Sequence, residues 1–315
     1  MRCASLWIAL ALAAVLTAPT LAVHSGKPLV VTSTAVLGSV VEDLANGSVD
    51  VYVLVSPSVC PAHYDVRPSD VYVVSRADLI LYHGFEPWVK GLVNATRSRA
   101  PIVRVSGSWN TPEGLKEYYA KVGEALMKYL GINVSSRLGV VVKEIDEVSR
   151  ELRKESVELG CSGVNVIAMG WQEGFVKWLG FNVVATYPPP EKLTVKDLEE
   201  LVEKGRELGV SIVVDNLQSG EEFGRSLASR LGAIHVVLTN FPGTGPELRT
   251  VLDVLKHNAE KMFDAVRYLK YSSEEVSKLR GEVSLYRPLT YVATAVAAAE
   301  AVAIAYLLAT RGGRE

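Results

Sequence analysis

The chain is short of the residues from which most catalytic centres are assembled. Its 315 residues include three cysteines and five histidines. No GxSxG, Walker A, HExxH or CxxC pattern occurs, and the GTG at 243–245 is too short for a phosphate loop. Nucleophile-elbow hydrolases, P-loop NTPases, zincins and dithiol oxidoreductases are therefore left without their signatures, and no enzyme is expected. Charge of one sign is also lacking. Lys and Arg number 33 against 35 Asp and Glu, a net charge of -2 that offers a nucleic acid no footing.

What the chain does have is apolar mass: 49% hydrophobic and 22% charged residues suit one large or two medium domains. The two ends stand apart from the middle. Met1 and Arg2 precede an apolar run from Leu6 to Leu16 and then Thr20, Leu21 and Ala22, which predicts a secretory signal over 1–22. Cys3 lies before that run, so no lipid-bearing cysteine follows it. Pro288 to Thr310 is almost uncharged and close to the ~20 residues that cross a bilayer. Arg311 and Arg314 behind it put the tail on the cytoplasmic side and the body outside. Glu300 opposes this, because a carboxylate at mid-membrane costs at least a few kcal/mol unless protonated or paired, about 3 on insertion scales. In an exported body Cys60 and Cys161 form one disulfide, or Cys60 is a free thiol retained as a ligand. Three sequons, at Asn46, Asn94 and Asn133, are compatible with a surface protein.

From residue 28 onward short β-branched runs alternate with helical patterns. Strands are expected over 29–32, 51–55, 79–82 and 102–105, with helices at 35–45, 68–76, 85–97 and 113–130. The alternation then breaks. Ser136 to Gly160 carries Leu138, Val142, Ile145, Val148 and Leu152 at helical intervals and reads as one long helix. Strands resume at 164–168, 183–186, 212–214 and 234–238, with helices at 171–179, 194–208, 221–231 and 247–270. The fold class is thus α/β: two lobes, each with a mainly parallel four-stranded sheet, joined by a long backbone helix and followed by a C-terminal transmembrane helix. The expected division is signal 1–22, N-terminal lobe 23–135, linking helix 136–160, C-terminal lobe 161–270, stalk 271–287 and anchor 288–310.

Open α/β sheets bind ligands beyond the carboxyl ends of their strands, and clefts between domains favour sites. That singles out the polar residues just after the strands: Cys60, His63 and Asp65; Gly107 to Asn110; Met169 to Glu173; Asp215, Asn216 and Gln218; and Asn240. Cys60 and His63 have C-x2-H spacing, which lets a thiolate and an imidazole of one loop reach one ion. The alternative is a loop in which Cys60 packs as a small apolar group and His63 bonds a carbonyl. In MGWQEGF, 169–175, Gln172 can donate and accept, Trp171 divides evenly between cleft and packing, and Phe175 and Trp178 read as packing. Asp215 is a ligand or a helix cap. His235 and His257 read as structural, and His83 stays open.

Pro61, His63, Tyr64, Asp65 and the following PSD, then SRADLILYHGFEPWVKGLV at 75–93 and VLKHNAEKMFDAV at 254–266, resemble the zinc- and manganese-binding solute receptors of ABC importers. The resemblance covers nearly all of residues 28–268 and implies two α/β lobes on a rigid helix, a divalent metal between them, and an ABC permease with its ATPase as partners. The family's ligands have not been kept. Ala62 stands at the first histidine's place with His63 beside it, and Gly107 stands at the second's in VSGSWNTP. Met169 falls at the third, with Gln172 close by, and Asn240 at the fourth. Three readings follow. A softer site is built from Cys60, His63 and Met169, completed by Gln172, Asp215 or Asn240, and favours zinc or copper over manganese. Alternatively Trp109, Trp171 and amides hold a metal chelate or another small solute, or the lobes bind nothing and are adhesive or structural. The first is the leading expectation: a membrane-tethered, monomeric receptor body for zinc on the outer face of the cell.

Overall fold

Each β-branched run becomes a short parallel strand, and each amphipathic stretch between them a covering helix. The computed structural model describes residues 26–311, so the expected signal over 1–22 lies outside the described residues. The first lobe contains β1 (Leu29–Thr32), β2 (Asp50–Val53), β3 (Leu79–Tyr82) and β4 (Ile102–Arg104). Its helices are α1 (Ala35–Ala45), α2 (Pro68–Ser75), α3 (Trp88–Thr96) and α4 (Pro112–Leu130). After the linking helix α5 (Ser135–Glu158), the second lobe contains β5 (Asn165–Met169), β6 (Asn182–Tyr187), β7 (Ile212–Asn216) and β8 (Ile234–Leu238). Helices α6 (Glu173–Leu179), α7 (Val195–Glu207) and α8 (Glu222–Leu231) cover it, and α9 runs from Val251 to Arg311.

The two sheets share one topology. Their strand orders are β2-β1-β3-β4 and β6-β5-β7-β8, all parallel. The order reverses between β1 and β3 in the first sheet and between β5 and β7 in the second. The loops leaving those four strands are therefore splayed apart, which is where open sheets form crevices. Central strands carry continuous apolar runs because helices cover both faces: β3 is Leu-Ile-Leu-Tyr, with all four residues buried.

Two helices tie the lobes together. Val141 and Ile145 of α5 belong to the core of the first lobe, while Val148, one or two turns on, belongs to that of the second. Helix α9 repeats the arrangement: Val251 packs with the first lobe, and Leu255, Ala259, Met262 and Phe263 pack with the second. The sequence read this last helix as a second-lobe element ending at 270, whereas it begins against the first lobe. It then continues without a break through 271–287, where a stalk is expected, and into the apolar segment. Pro288 sits inside it. Part of α9 is long and apolar enough to cross a membrane, with a mean hydropathy of 1.5 over its most apolar stretch and none of that stretch buried.

Candidate functional site

The loop after β2 shows how a short motif builds local structure. Pro68 opens α2, and the Asp70 carboxylate in its first turn accepts from the Arg67 amide at 2.8 Å, satisfying a donor that the helix start leaves unpaired. The same Asp70 oxygen accepts from the Tyr64 hydroxyl at 2.8 Å. Burial, followed by this carboxylate, pushes the Tyr64 phenol up to about 12. Trp88 lies against the Tyr64 ring and donates from Nε1 to the Pro61 carbonyl at 2.8 Å. Tyr64, Asp70 and Trp88 thus brace the loop, leaving the turn Pro61–His63 and Cys60 at its tip.

Cys60 lies on the wall of a cavity of about 210 Å³ between the lobes. Phe85, Trp109 and Asn110 come from the first lobe, and Trp171, Asn216, Gln218, Asn240 and Phe241 from the second. Each lies at or beyond the carboxyl end of a strand. Trp109 is the central ring: it stacks on Phe241 across the lobe boundary at 6.1 Å, on Phe85 at 6.3 Å, and against His83 at 4.6 Å. No lining residue is charged.

Neutral hydrogen bonds hold the lobes together around this space. Trp109 Nε1 donates to the Asn240 carbonyl at 3.0 Å, Asn110 Nδ2 to the Trp171 carbonyl at 2.8 Å, and Gln218 Nε2 to the Pro57 carbonyl at 3.0 Å. Gln218 Oε1 in turn accepts from the Asn240 amide at 3.1 Å, and Gln172 Nε2 donates to Asn240 Oδ1 at 3.0 Å. Gln172 is fully buried, and its Oε1 has no hydrogen-bond partner among the described residues. Asn216 Nδ2 is likewise unpaired. A buried amide oxygen without a donor is costly to maintain and is a natural acceptor for a ligand donor or a cation.

Behind the wall, at the point where the first sheet reverses, His83 is buried between its neighbours. The Tyr118 hydroxyl donates to the Val105 carbonyl at 3.0 Å and lies 2.9 Å from His83 Nδ1, so Nδ1–H is the donor to Tyr118. Nε2 then accepts from Thr34 Oγ1 at 2.7 Å. Burial lowers the imidazole to about 4, although the adjacent Glu86 charge acts in the opposite direction. Glu86 is itself buried. It accepts from Ser33 Oγ at 2.5 Å and from the His83 and Gly84 amides at 3.1 and 2.7 Å. Gly84, at φ 105°, allows that tight turn, and a Cβ there would fall 2.1 Å from Arg104 Nε.

Of the residues singled out from the sequence, Cys60, Gly107 to Asn110, Trp171, Asn216, Gln218 and Asn240 line the cavity, with Gln172 bonded to Asn240. The remaining expected ligands, His63, Met169 and Asp215, do not. His63 points outward, 64% exposed, with Nε2 3.8 Å from Glu191 of the other lobe. One loop thus separates the two members of the C-x2-H pair, because the intervening turn aims them to different sides. Met169 is buried in the layer beneath α7 and α8, where its sulfur accepts from the Trp171 amide at 3.2 Å. Asp215 is fully buried on that same far face, hydrogen-bonded by Tyr187 and 2.7 Å from His235 Nε2. Helix α8 passes so close that a Cβ on Gly224 would lie 2.1 Å from an Asp215 oxygen. Strand alternation is the reason: Asp215 shares a face with Val213, whereas its neighbour Asn216 reaches the cavity. Among the described residues no group of three or more His, Cys, Asp or Glu is arranged to hold a metal. Cys60 and Cys161 are both free, Cys161 in the core of the second lobe, so no disulfide links them.

Sequence reasoning left His83 open and passed over Phe85, Phe241 and the Ser33, Thr34 and Glu86 side chains that surround that histidine. Phe241 immediately follows Asn240. The HGFE segment follows β3, one of the two strands at which the sheet order reverses, and the strand-end rule applied to that loop would have found it.

The family model described as zinc-uptake complex component A, periplasmic, matches residues 30–265. The zinc-binding protein TroA of Treponema pallidum (strain Nichols) is 31% identical over 137 residues, an alignment spanning 44% of this chain and 33% of that protein. An uncharacterized protein of Rickettsia prowazekii (strain Madrid E) is 21% identical over 137 residues, or 39% of this chain and 46% of its own. These alignments thus span between a third and a half of the curated relatives. Among solved structures, periplasmic zinc-binding TroA of T. pallidum superposes with a TM-score of 0.66 at 20% identity, covering 76% of this chain and 99% of that one. The Mn-bound periplasmic metal-binding protein of Candidatus Liberibacter asiaticus gives a TM-score of 0.66 at 17% identity, covering 76% and 100%. At these identities the superpositions establish the two-lobed fold, and the family match over most of the chain establishes descent: the chain belongs to the zinc-uptake component A family of metal-binding solute receptors.

Proposed function

We propose that this protein is the solute-binding component of an ABC importer, capturing a divalent transition metal between its lobes outside the cell and releasing it to a permease driven by its ATPase. The observation that carries this reading is the cavity of about 210 Å³ walled by strand-end loops of both lobes, in a chain of this family. Binding and release suffice, and no residue is asked to form a covalent bond. A solute that bridges both walls stabilises the closed arrangement, and the permease favours the open one.

Cys60 is the anionic ligand the wall can supply once its thiol ionises. Among the nearby amides the buried Gln172 oxygen is the one left without a partner, while the oxygens of Asn240, Gln218 and Asn216 already accept hydrogen bonds that an ion would have to displace. Thiolate with amide oxygen suits zinc or copper better than manganese, which prefers carboxylates, and zinc is favoured. His63 joins this set only if its loop turns over. Residues 288–310 would hold the receptor at the outer face of the membrane.

A second reading is supported by the uncharged wall and its four aromatic rings, Phe85, Trp109, Trp171 and Phe241: the metal arrives inside a small organic chelate. Stripping a bare dication of its water without anionic ligands is very costly, whereas a chelate carries its own donors and offers a flat face to Trp109.

The test is metal analysis of the protein as purified, followed by thermal unfolding with zinc, manganese and copper, each alone and with equimolar 2,2′-bipyridine as a planar chelator. A rise in Tm with zinc alone supports ion capture, because a ligand of the folded state must stabilise it. A rise that requires the chelator supports the second reading. A Tm unmoved by all six conditions overturns both.

A further inference from the structure

Past residue 270, helix α9 leaves the lobes and carries an apolar stripe that nothing among the described residues covers. Val276, Leu279, Val283 and Tyr286 follow one another at intervals of three, four and three residues, and each is between 47 and 63% exposed. These are a and d positions of a heptad, with Val276 and Val283 at a and Leu279 and Tyr286 at d. Ser277, Lys278, Gly281, Ser284, Leu285 and Pro288 fall at b, c and f, on the outer side. Pro288 therefore frees a backbone carbonyl toward solvent rather than into the stripe.

The flanking charges identify the occupant. Glu275 and Glu282 take both g positions, and Arg280 and Arg287 take both e positions. None of the four is ion-paired within its own chain among the described residues, and Arg287 makes only a 3.4 Å contact from Nε to Tyr291 Oη. In a parallel pair of such helices each g residue faces the e residue five positions on in its partner. Glu275 then meets Arg280 of the second copy, and Glu282 meets Arg287, giving four opposite-charge pairs by symmetry. An antiparallel pair sets g against g and e against e, so the same residues become Glu–Glu and Arg–Arg contacts. Valine at both a positions with Leu279 at the first d favours two strands, and Tyr286 occupies the second d.

We infer that residues 275–287 of α9 form a parallel, two-stranded coiled coil with a second copy of this chain, so that two receptor bodies stand on one stalk. Two heptads are short for a coiled coil in dilute solution. Here the same helix continues directly into the exposed apolar segment, and two chains held by one membrane or micelle meet at high effective concentration. The inference does not depend on what the cleft binds.

The test uses the full chain in dodecyl maltoside micelles, with protein mass measured by light scattering. The wild-type chain is expected to run as a dimer. Glu275→Arg with Glu282→Arg, and separately Arg280→Glu with Arg287→Glu, should each halve the mass while leaving the unfolding midpoint of the lobes unchanged. Mixing the two variants under different affinity tags should restore a heterodimer that co-purifies through either tag. A wild-type monomer overturns the proposal. So does a dimer that survives both charge changes, which would place the contact elsewhere, or a mixture that fails to pair.

Discussion

The two lobes repeat one sheet order, and each buries a carboxylate beside a histidine, yet only one of these clusters backs the cleft. In the first lobe Glu86 and His83 lie directly behind Trp109 and Phe85. In the second, Asp215 and His235 sit on the opposite face of their sheet, beneath the α7 and α8 layer, with the Tyr187 hydroxyl bonded to the same acid. Chemically similar residues thus serve two purposes. The first cluster shapes the wall of the cleft, and the second fastens a sheet to its helices. The difference turns on strand parity: a polar residue at a strand end faces whichever side its alternation dictates, and a shift of one residue exchanges the faces.

The comparison can be broken most forcefully at Asp215. Asp215→Ala leaves the Tyr187 hydroxyl and His235 without their buried acceptor and should cost about 3 kcal/mol of stability, read as a drop in chemical-denaturation midpoint. Zinc or chelate affinity of the folded fraction should not change. A collapse of affinity at unchanged stability would put Asp215 in the cleft after all.

His83 supplies the corresponding test in the first lobe. Its imidazole titrates lower in the folded protein than in the unfolded chain, so the unfolded state binds the additional proton. The stability that follows from keeping His83 neutral is fully present above the ordinary histidine value of about 6.5 and is lost as pH falls toward about 4. His83→Asn should flatten the unfolding midpoint over that window. A variant as acid-labile as the wild type would show that the slope arises elsewhere.

Thiol labelling sharpens the contrast further. Cys60 on the cavity wall should react with a small thiol reagent in the native protein, and Cys161 only on unfolding, since it is fully buried and burial pushes its thiol up. Protection of Cys60 by zinc would mark it as a ligand. The smallest effect is expected at His63. Its contact with Glu191 is 3.8 Å long and exposed, so His63→Ala should change stability by less than about 0.5 kcal/mol and leave zinc affinity unaltered. A tenfold loss of affinity would mean that the loop turns inward when metal binds.

The alternation of apolar runs was sufficient to locate all eight strands among the described residues, several to the residue, and the long α5. Apolar periodicity is a local property, and a window of ten residues contains most of it. The candidate site was half legible. Cys60, Trp109, Trp171 and Asn240 follow strands and do line the cavity, as the strand-end rule implies. Met169 and Asp215 obey the same rule in sequence and fail it in space, each buried on the far face by its place in the strand. His63 fails for a different reason, a single turn of 3₁₀ helix that rotates it away from Cys60. Neither the parity of a strand end nor the pitch of a three-residue turn shows in a pattern of residue types.

The extent of the last helix was also only partly visible. Its apolar segment stood out by composition, but the polar stretch before it read as a stalk of unspecified form, whereas it is helical throughout. That α9 opens against the first lobe, at Val251, required knowledge of which surfaces the folded lobes leave uncovered.

The amino-acid sequence by itself determined the lobes, their sheets, the linking helix, the apolar tail and the family, because each is encoded in periodicities and motifs that survive without a third dimension. Tertiary structure alone decided the character of the cleft. Whether a thiol, an imidazole and a carboxylate converge depends on side-chain directions at six separate strand ends, summed over the closure of two lobes. Here those directions bring together a thiol, amides and aromatic rings, and send the histidine and both far-face residues elsewhere.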